Sequence, residues 1–240
     1  MSGLPRRILI TGASGFVGGH LIAALRRRDP KVELVATGLH GQPDAAGLSW
    51  RVLDITDRPA VEALVGSVRP DAIVHLAALA TYGASARDPD LAWQVNVDGT
   101  RHLAEAALRL VPQAAFLHVS SSEVYGYACN DHASVDESVR LDPGNVYAVT
   151  KAAADLAIGE MARRGLKAVR LRPFNHTGAG QGEALFVPTM AAQIARIEAG
   201  LAAGPVIRVG NLEAERDFLD VRDVVEAYGA ALEAVPRLPP

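Results

Sequence analysis

A doubly wound parallel α/β sheet is predicted for this chain by three observations. Between residues 6 and 173, short apolar runs alternate with stretches of helical spacing. The first of those runs leads directly into a glycine-rich turn, and no internal repeat or low-complexity linker interrupts the alternation. Strands and helices in strict alternation bury a parallel sheet under helices on both faces, joined by right-handed crossovers.

RRILIT (6–11) reads as the first strand. Gly12, Gly15 and Gly18 follow it, and Phe16, Val17, Leu21, Ile22 and Leu25 then recur at helical spacing. A strand, a glycine turn and a helix form the entrance to a Rossmann-type dinucleotide fold. Glycine lets the backbone turn sharply and approach a pyrophosphate closely, and the helix N-terminus presents N–H groups to the anion. Arg26, Arg27 and Arg28 end that helix, where cations complement the dipole.

VELVAT (32–37) is the second predicted strand. An acidic residue about 20 positions after the glycines grips the ribose hydroxyls in NAD-preferring sites. Here the stretch reads Thr37-Gly38-Leu39-His40 with no carboxylate, so the cofactor is NADP(H) or NAD(H), with a lean to NADP(H). WRVLDITD (50–57) is the third strand, ending in a polar turn; Asp54 there is placed to accept from an adenine amino group, with Ile55 beside it. DAIVHLAA (71–78) is the fourth. Leu76, Ala77 and Ala78 end it with small or apolar side chains that let a cofactor lie against the backbone, and His75 reads as a packed core histidine.

A long helix is expected over residues 89–110, with Asn96 in its middle serving neighbouring polar groups. AAFLHVS (114–120) is the fifth strand and runs into Ser121, Ser122, Glu123 and Tyr125. After a loop at 135–145, a helix opens at Tyr147 and reaches about Arg163. KAVRLRP (167–173) is the sixth strand, stopped by Pro173. Ligands of open α/β sheets sit outside the carboxyl ends of the strands. Gly12, Asp54, Ala77, Ser121 and Pro173 all fall there, so one crevice is expected. Tyr147 and Lys151, four apart, project from one helix face. Residues 1–173 form this cofactor domain.

Residues 174–240 change character and are expected to make a small substrate-binding lobe, with strand and helix segments returning to the main domain. FNHTGAGQGEALFVP (174–188) is a polar, glycine-rich loop. A helix near 189–200, a strand PVIRVG (205–210) and the segment RDFLDVRDVVEAYGAAL follow it. Arg208 and Arg216 are the candidate phosphate-gripping side chains there.

Composition bounds the function classes. With 240 residues, 49% of them hydrophobic and 21% charged, the chain can bury one sizeable core. A net charge of -3 without a basic block excludes the electrostatic footprint of a nucleic-acid binder. Cys129 is the single cysteine, so neither an intrachain disulfide nor a CxxC metal or redox pair exists, and no metal is expected. No apolar run of membrane-spanning length and no signal region occurs, which predicts a soluble cytoplasmic protein.

TGASGFVG, HLAALA, SSSEVYG, YAVTK, RPFNHTGAGQ and RDFLDVRDVV together resemble the extended short-chain dehydrogenase/reductase family, also called the NAD-dependent epimerase/dehydratase family. The resemblance covers essentially the whole chain. The stretches RPFNHTGAGQ and VGNLEAERDFLDVRDV carry a narrower likeness, to members that reduce GDP-4-keto-6-deoxy-hexoses. It implies an NAD(P)H-dependent reduction of the sugar 4-keto group. It implies that Gly12, Ala13, Gly15, Phe16 and Val17 line the cofactor pyrophosphate and that Asp54 meets the adenine. Ser121, with Ser122 and Glu123 beside it, would hydrogen-bond the sugar carbonyl. Tyr147 would be the acid/base, and Lys151 would bind the nicotinamide ribose and lower the tyrosine pKa. Asn175 and Arg216 would contact the substrate diphosphate. Equivalent helices in the family pair into a four-helix bundle, which implies a homodimer.

Two features depart from the family pattern. Dehydratases commonly carry an Asp-Glu pair after the catalytic threonine, and here it reads Ser122-Glu123. Because Glu123 is retained, a GDP-mannose 4,6-dehydratase is the alternative activity, with a 4-epimerase beside it. VPRLPP ends the chain where relatives continue with a glycine-containing strand and further helices, so the lobe is expected to be incomplete. A non-catalytic NAD(P)-binding sensor or scaffold is the alternative of a different class, since fold alone does not establish activity.

Overall fold

The structure is a computed structural model, described here over residues 3–42 and 48–235. Its centre is a six-stranded sheet of β1 (Arg7–Thr11), β2 (Glu33–Gly38), β3 (Leu48–Val52), β4 (Ala72–His75), β5 (Ala115–Val119) and β6 (Lys167–Leu171). The order is β3-β2-β1-β4-β5-β6, and every pair is parallel. The chain starts in the middle, winds outward one way, then crosses back and winds the other way. The reversal between β1 and β4 opens a crevice at their carboxyl ends.

Alternation within the strands sorts side chains to two faces. Ile8 and Ile10 of β1 pack with Leu34, Val74 and Leu117 against α1 (Phe16–Arg28). Leu9 points the other way with Ile73 and Phe116, under α2 (Arg58–Val68), α5 (Thr100–Leu110) and α6 (Val146–Arg163). Both faces are therefore covered, as a parallel sheet requires. Capping sets the helix starts: Asp57 accepts from Ala60 N–H at α2, and Asn145 accepts from Ala148 N–H at α6.

The stretch 89–110 is helical but not one regular helix. After α3 (Tyr82–Arg87), α4 (Pro89–Trp93) passes into a π-helical segment, Gln94–Gly99, before α5 begins. Such widened turns insert extra backbone and commonly sit at functional positions. Asn96 lies in this one and is buried. The third strand starts at Leu48, earlier than the expected Trp50; it ends at Val52, and Leu53 to Asp57 form the polar turn into α2.

Residues 174–220 differ most from expectation. Within the glycine-rich loop, β7 (Asn175–Thr177) pairs in parallel with β8 (Phe218–Asp220). Helix α7 starts three residues early, at Phe186, and ends at Glu198. PVIRVG is not a strand. Its alternation is strand-like, but a strand exists only when its backbone groups find a partner edge. Here Arg208 N–H donates to Gln193 Oε1 at 2.8 Å and Gln193 Nε2 returns a bond to Arg208 O at 3.0 Å, so the segment hangs on α7 by one side chain.

Helix α8 (Val221–Ala234) returns to the main body and packs along α1. Arg28 spans Glu226 and Glu233, and Arg27 also reaches Glu226. The arginine run thus ends α1, as its position suggested, and clamps α8 to it. Of VPRLPP, the part after Val235 lies outside the described residues. Among the described residues, no helix is long and apolar enough to cross a membrane, and no group of three metal-ligating side chains is assembled.

Candidate functional site

The glycine turn is shaped by β4. Gly12 has φ +69°, a region where side chains are strained, and a Cβ there would lie 2.6 Å from Ala77 N. Gly18 is equally closed, because a Cβ would run into the Ala13 backbone. Gly15 is different: its only near neighbour would be Gly12 O at 3.2 Å, and its Cα–H face is open. It stands at the N-terminus of α1, which has no side-chain cap. The first and third glycines therefore serve the protein's own packing, while the second clears space at an uncapped helix end, which fits a dinucleotide pyrophosphate. A cleft of about 410 Å³ opens beside it, between Ser14, Phe16, His20 and the Ala179–Gly180 loop.

The neighbouring strand ends carry the other expected cofactor positions. Asp54 is exposed at the end of β3, but its Oδ1 already accepts from Thr56 N at 2.9 Å and Thr56 Oγ1 at 2.8 Å. Only its second oxygen is placed for an adenine. Ile55 points into the core, where a Cβ on Gly99 would meet it, and its carbonyl faces His102 Nδ1 at 3.3 Å. A cofactor contact at Ile55 would therefore be through its backbone N–H. Leu76, Ala77 and Ala78 are half-buried beyond β4, with Leu76 N–H donating to Thr11 O. Gly38, at the end of β2, approaches Ser14, while Leu39 and His40 are exposed beyond it.

The acid/base groups converge from β5 and α6. Ser121 caps a 3₁₀ turn, Ser122–Val124, its Oγ accepting from Glu123 N–H at 3.2 Å. Ser122 is buried, and its N–H donates to Pro173 O at 3.0 Å, joining the turn to the end of β6. Tyr147 opens α6 beside this turn. Burial pushes its phenol above the ordinary value, the Ser121 hydroxyl opposes that, and the Glu123 carboxylate adds to it.

Lys151 lies one turn further along α6, and its Nζ donates to Val119 O at 2.6 Å, at the end of β5. The net direction at Tyr147 is upward, because desolvation of the phenolate dominates. Burial also brings the Lys151 ammonium down to about 8, against the pull of Asp155.

Behind the site a directed chain of hydrogen bonds fixes His75. Thr100 Oγ1 donates to Asn96 O at 2.7 Å, so His75 Nε2 must be the donor to Thr100 at 2.9 Å. His75 Nδ1 then accepts from Thr11 Oγ1 at 2.7 Å. Complete desolvation holds this histidine neutral, at about 3. Asn96 binds Leu79 N at 2.8 Å and Thr150 Oγ1 at 2.9 Å, and Thr150 in turn donates to Tyr147 O. The π-helical turn thus ties the end of β4 to the helix of the acid/base groups.

In the lobe, pairing of β7 with β8 sets Asn175 opposite Phe218, two residues past Arg216. Arg216 is exposed, with Nη1 on Glu215 O. Arg208 is held against α7 rather than against β7. A cavity of about 430 Å³ lies between Thr177, Gln181, Glu183 and Pro188. Sequence reasoning assigned no role to Asp155, Arg170 or Arg172, a cluster in which two arginines close over the buried Asp155, one turn past Lys151. The spacing Tyr147, Lys151, Asp155 was the available signal, since all three fall on one helix face.

Comparison with known proteins agrees with this geometry. The profile of the NAD dependent epimerase/dehydratase family matches residues 8–239. The chain is 34% identical over 229 residues to GDP-6-deoxy-D-mannose reductase of Pseudomonas aeruginosa, covering 94% of this chain and 70% of that protein. It is 32% identical to GDP-6-deoxy-D-talose 4-dehydrogenase of Aggregatibacter actinomycetemcomitans, covering 90% and 67%. Among solved structures, RMD from Pseudomonas aeruginosa complexed with NADPH superposes with a TM-score of 0.77 at 33% identity, over 97% of this chain and 73% of the other. The UDP-glucose 4-epimerase of Thermus thermophilus complexed with NAD superposes at 0.81 and 27% identity, over 94% and 74%. The chain is thus a member of the NAD-dependent epimerase/dehydratase family, the extended short-chain dehydrogenases/reductases, whose members modify nucleotide sugars with NAD(P).

Proposed function

We propose that this protein reduces the 4-keto group of a GDP-4-keto-6-deoxy-hexose, with NAD(P)H as hydride donor. Residues 1–173 hold the cofactor and 174–240 grip the nucleotide sugar. The observation that carries this reading is the 34% identity to a GDP-6-deoxy-D-mannose reductase over 94% of this chain. Reduction needs a proton donor at the sugar oxygen, and Tyr147, beside Ser121, is the group placed to serve as one.

The chain's own groups do the rest. Ser121 Oγ accepts from Glu123 N–H, and its hydroxyl meets the Tyr147 phenol, so a substrate carbonyl oxygen entering between them takes over the serine proton. Tyr147 and Ser121 then form two donors to one oxygen, where negative charge develops. A bound reduced nicotinamide supplies the hydride. Tyr147 passes its proton to the sugar oxygen, and the buried Lys151 charge stabilises the resulting phenolate. Asn175 and Arg216, joined through the β7–β8 pair, bind the diphosphate, and the lobe cavity is of a size for the nucleoside.

Mixing the protein with NADPH and GDP-4-keto-6-deoxy-mannose should consume the near-ultraviolet absorbance of the reduced cofactor. Conversion of GDP-mannose with no net cofactor loss would instead establish the dehydratase. Glu123→Gln separates the two further: a reductase keeps most of its turnover, whereas a dehydratase that uses Glu123 as acid loses about 10²–10⁴-fold.

The same reading implies a cytoplasmic homodimer. Val149 and Leu156 are exposed on α6 at a seven-residue spacing, and Leu91 and Trp93 are exposed on α4. Apolar side chains at that spacing form a seam for a second helix pair, as in a four-helix bundle. Light scattering at micromolar concentration should give twice the chain mass, and Leu156→Glu should return it to the monomer value.

A further inference from the structure

The cluster below Lys151 has a geometry that the reaction chemistry alone does not call for. Asp155 is fully buried. Arg172 grips it with a fork, Nε to Oδ2 at 3.0 Å and Nη2 to Oδ1 at 2.9 Å, and Arg170 Nη1 adds a third bond to Oδ1 at 2.8 Å. The third nitrogen of Arg172 donates to the Tyr125 hydroxyl at 3.1 Å. Its guanidinium carbon also lies 5.2 Å from the Tyr125 ring centroid.

Tyr125 is buried directly after the Ser122–Val124 turn, its N–H donating to Ser122 O. The next residue after Arg172 is Pro173, whose carbonyl receives Ser122 N–H. The turn that presents Ser121 and Glu123 is therefore bound to the end of β6 at two points. Asp155 connects that same strand end to α6, two helical turns below Tyr147.

A buried ion pair of this kind adds little net stability over well-packed apolar residues, because desolvation offsets the attraction. What it supplies is a fixed arrangement. We propose that Asp155 is a positioning residue: through Arg172 and Tyr125 it sets the Ser121–Glu123 turn in register with Tyr147, and, one turn from Lys151 on the buried face of α6, it is the counter-charge of that side chain.

The mechanical part rests on the reductase reading, but the electrostatic part needs only cofactor binding. Lys151 is faced by Asp155 from its own helix and by His75 and His118 from β4 and β5. Both histidines are held neutral by burial, and the Tyr147 phenol titrates above its ordinary range. NADPH affinity measured against pH should therefore weaken with a midpoint near 8 that belongs to Lys151.

In Asp155→Asn that midpoint should fall by about one pH unit or more, the size expected for losing a nearby opposite charge. Asp155→Glu should restore it at least partly. Tyr125→Phe deletes one hydroxyl and keeps the ring. It should leave the NADPH midpoint in place and lower kcat, with KM for the sugar nearly unchanged, by about 10- to 100-fold for a displaced acid/base pair. An unmoved NADPH midpoint in Asp155→Asn, or undiminished kcat in Tyr125→Phe, overturns the corresponding half of the proposal. If the wild type reduces no GDP-4-keto sugar, the functional reading fails, and the NADPH titration still decides whether Asp155 controls Lys151.

Discussion

Tyr147→Phe is expected to lower turnover by about 10²–10⁴-fold, the usual worth of a positioned proton donor, while NADPH affinity stays nearly unchanged. The substitution removes one oxygen from a ring that α6 holds in place. Asn145 still caps the helix by accepting from Ala148 N–H, and Tyr147 O still accepts from Thr150. Nothing in the glycine turn changes, so cofactor binding has no reason to weaken. What disappears is the proton for the sugar oxygen. Ser121 stays as a single donor, able to polarise the carbonyl but not to replace a phenol as acid. Steady-state turnover beside a fluorescence titration with NADPH makes the comparison. Turnover within a few-fold of wild type would remove Tyr147 from the chemistry.

Acid should destabilise the fold well before its carboxylates titrate. His75 and His118 are buried, and desolvation lowers both, His75 to about 3 from an ordinary 6.5. A group whose folded pKa is depressed contributes stability that is complete above its unfolded value and is lost as pH falls below it. Each histidine therefore removes up to about 1.4 kcal/mol per pH unit below roughly 6.5. Asp155, also depressed, starts from 3.8 and acts only in a lower window. Denaturant unfolding measured from pH 7 down to pH 4.5 should thus show a loss of several kcal/mol, of the order of the whole stability of a domain.

His118 offers the control, because neither of its ring nitrogens has a hydrogen-bond partner. Its His118→Leu variant deletes an unsatisfied buried polar group, which should recover about 1–3 kcal/mol at neutral pH. The acid slope should fall by about half. A variant with the wild-type slope would assign the acid sensitivity elsewhere.

Local rules made much of this protein readable from its residues. Apolar runs and helical spacing located all six strands of the main sheet, and the glycine spacing marked the turn that feeds α1, because each depends on chain geometry over a few neighbours. The pairing of Tyr147 with Lys151 on one face needs only the pitch of a helix. PVIRVG shows where such rules stop: its alternation is a strand pattern, but Gln193 of α7, not another strand, took its backbone. The π-helical turn at Asn96 was equally invisible, since its partners Leu79 and Thr150 lie 17 and 54 residues away.

Residues alone determined which groups could do chemistry here: three glycines, a serine turn, a tyrosine and a lysine. Tertiary structure decided their state. Burial, set by strands from distant parts of the chain, raised Tyr147 and lowered Lys151. It also brought Asp155, Arg172 and Tyr125 together across 47 residues of sequence. The physical reason is the same in each case. Desolvation and long-range pairing depend on what the folded chain places around a side chain, and that is fixed only once the sheet has closed.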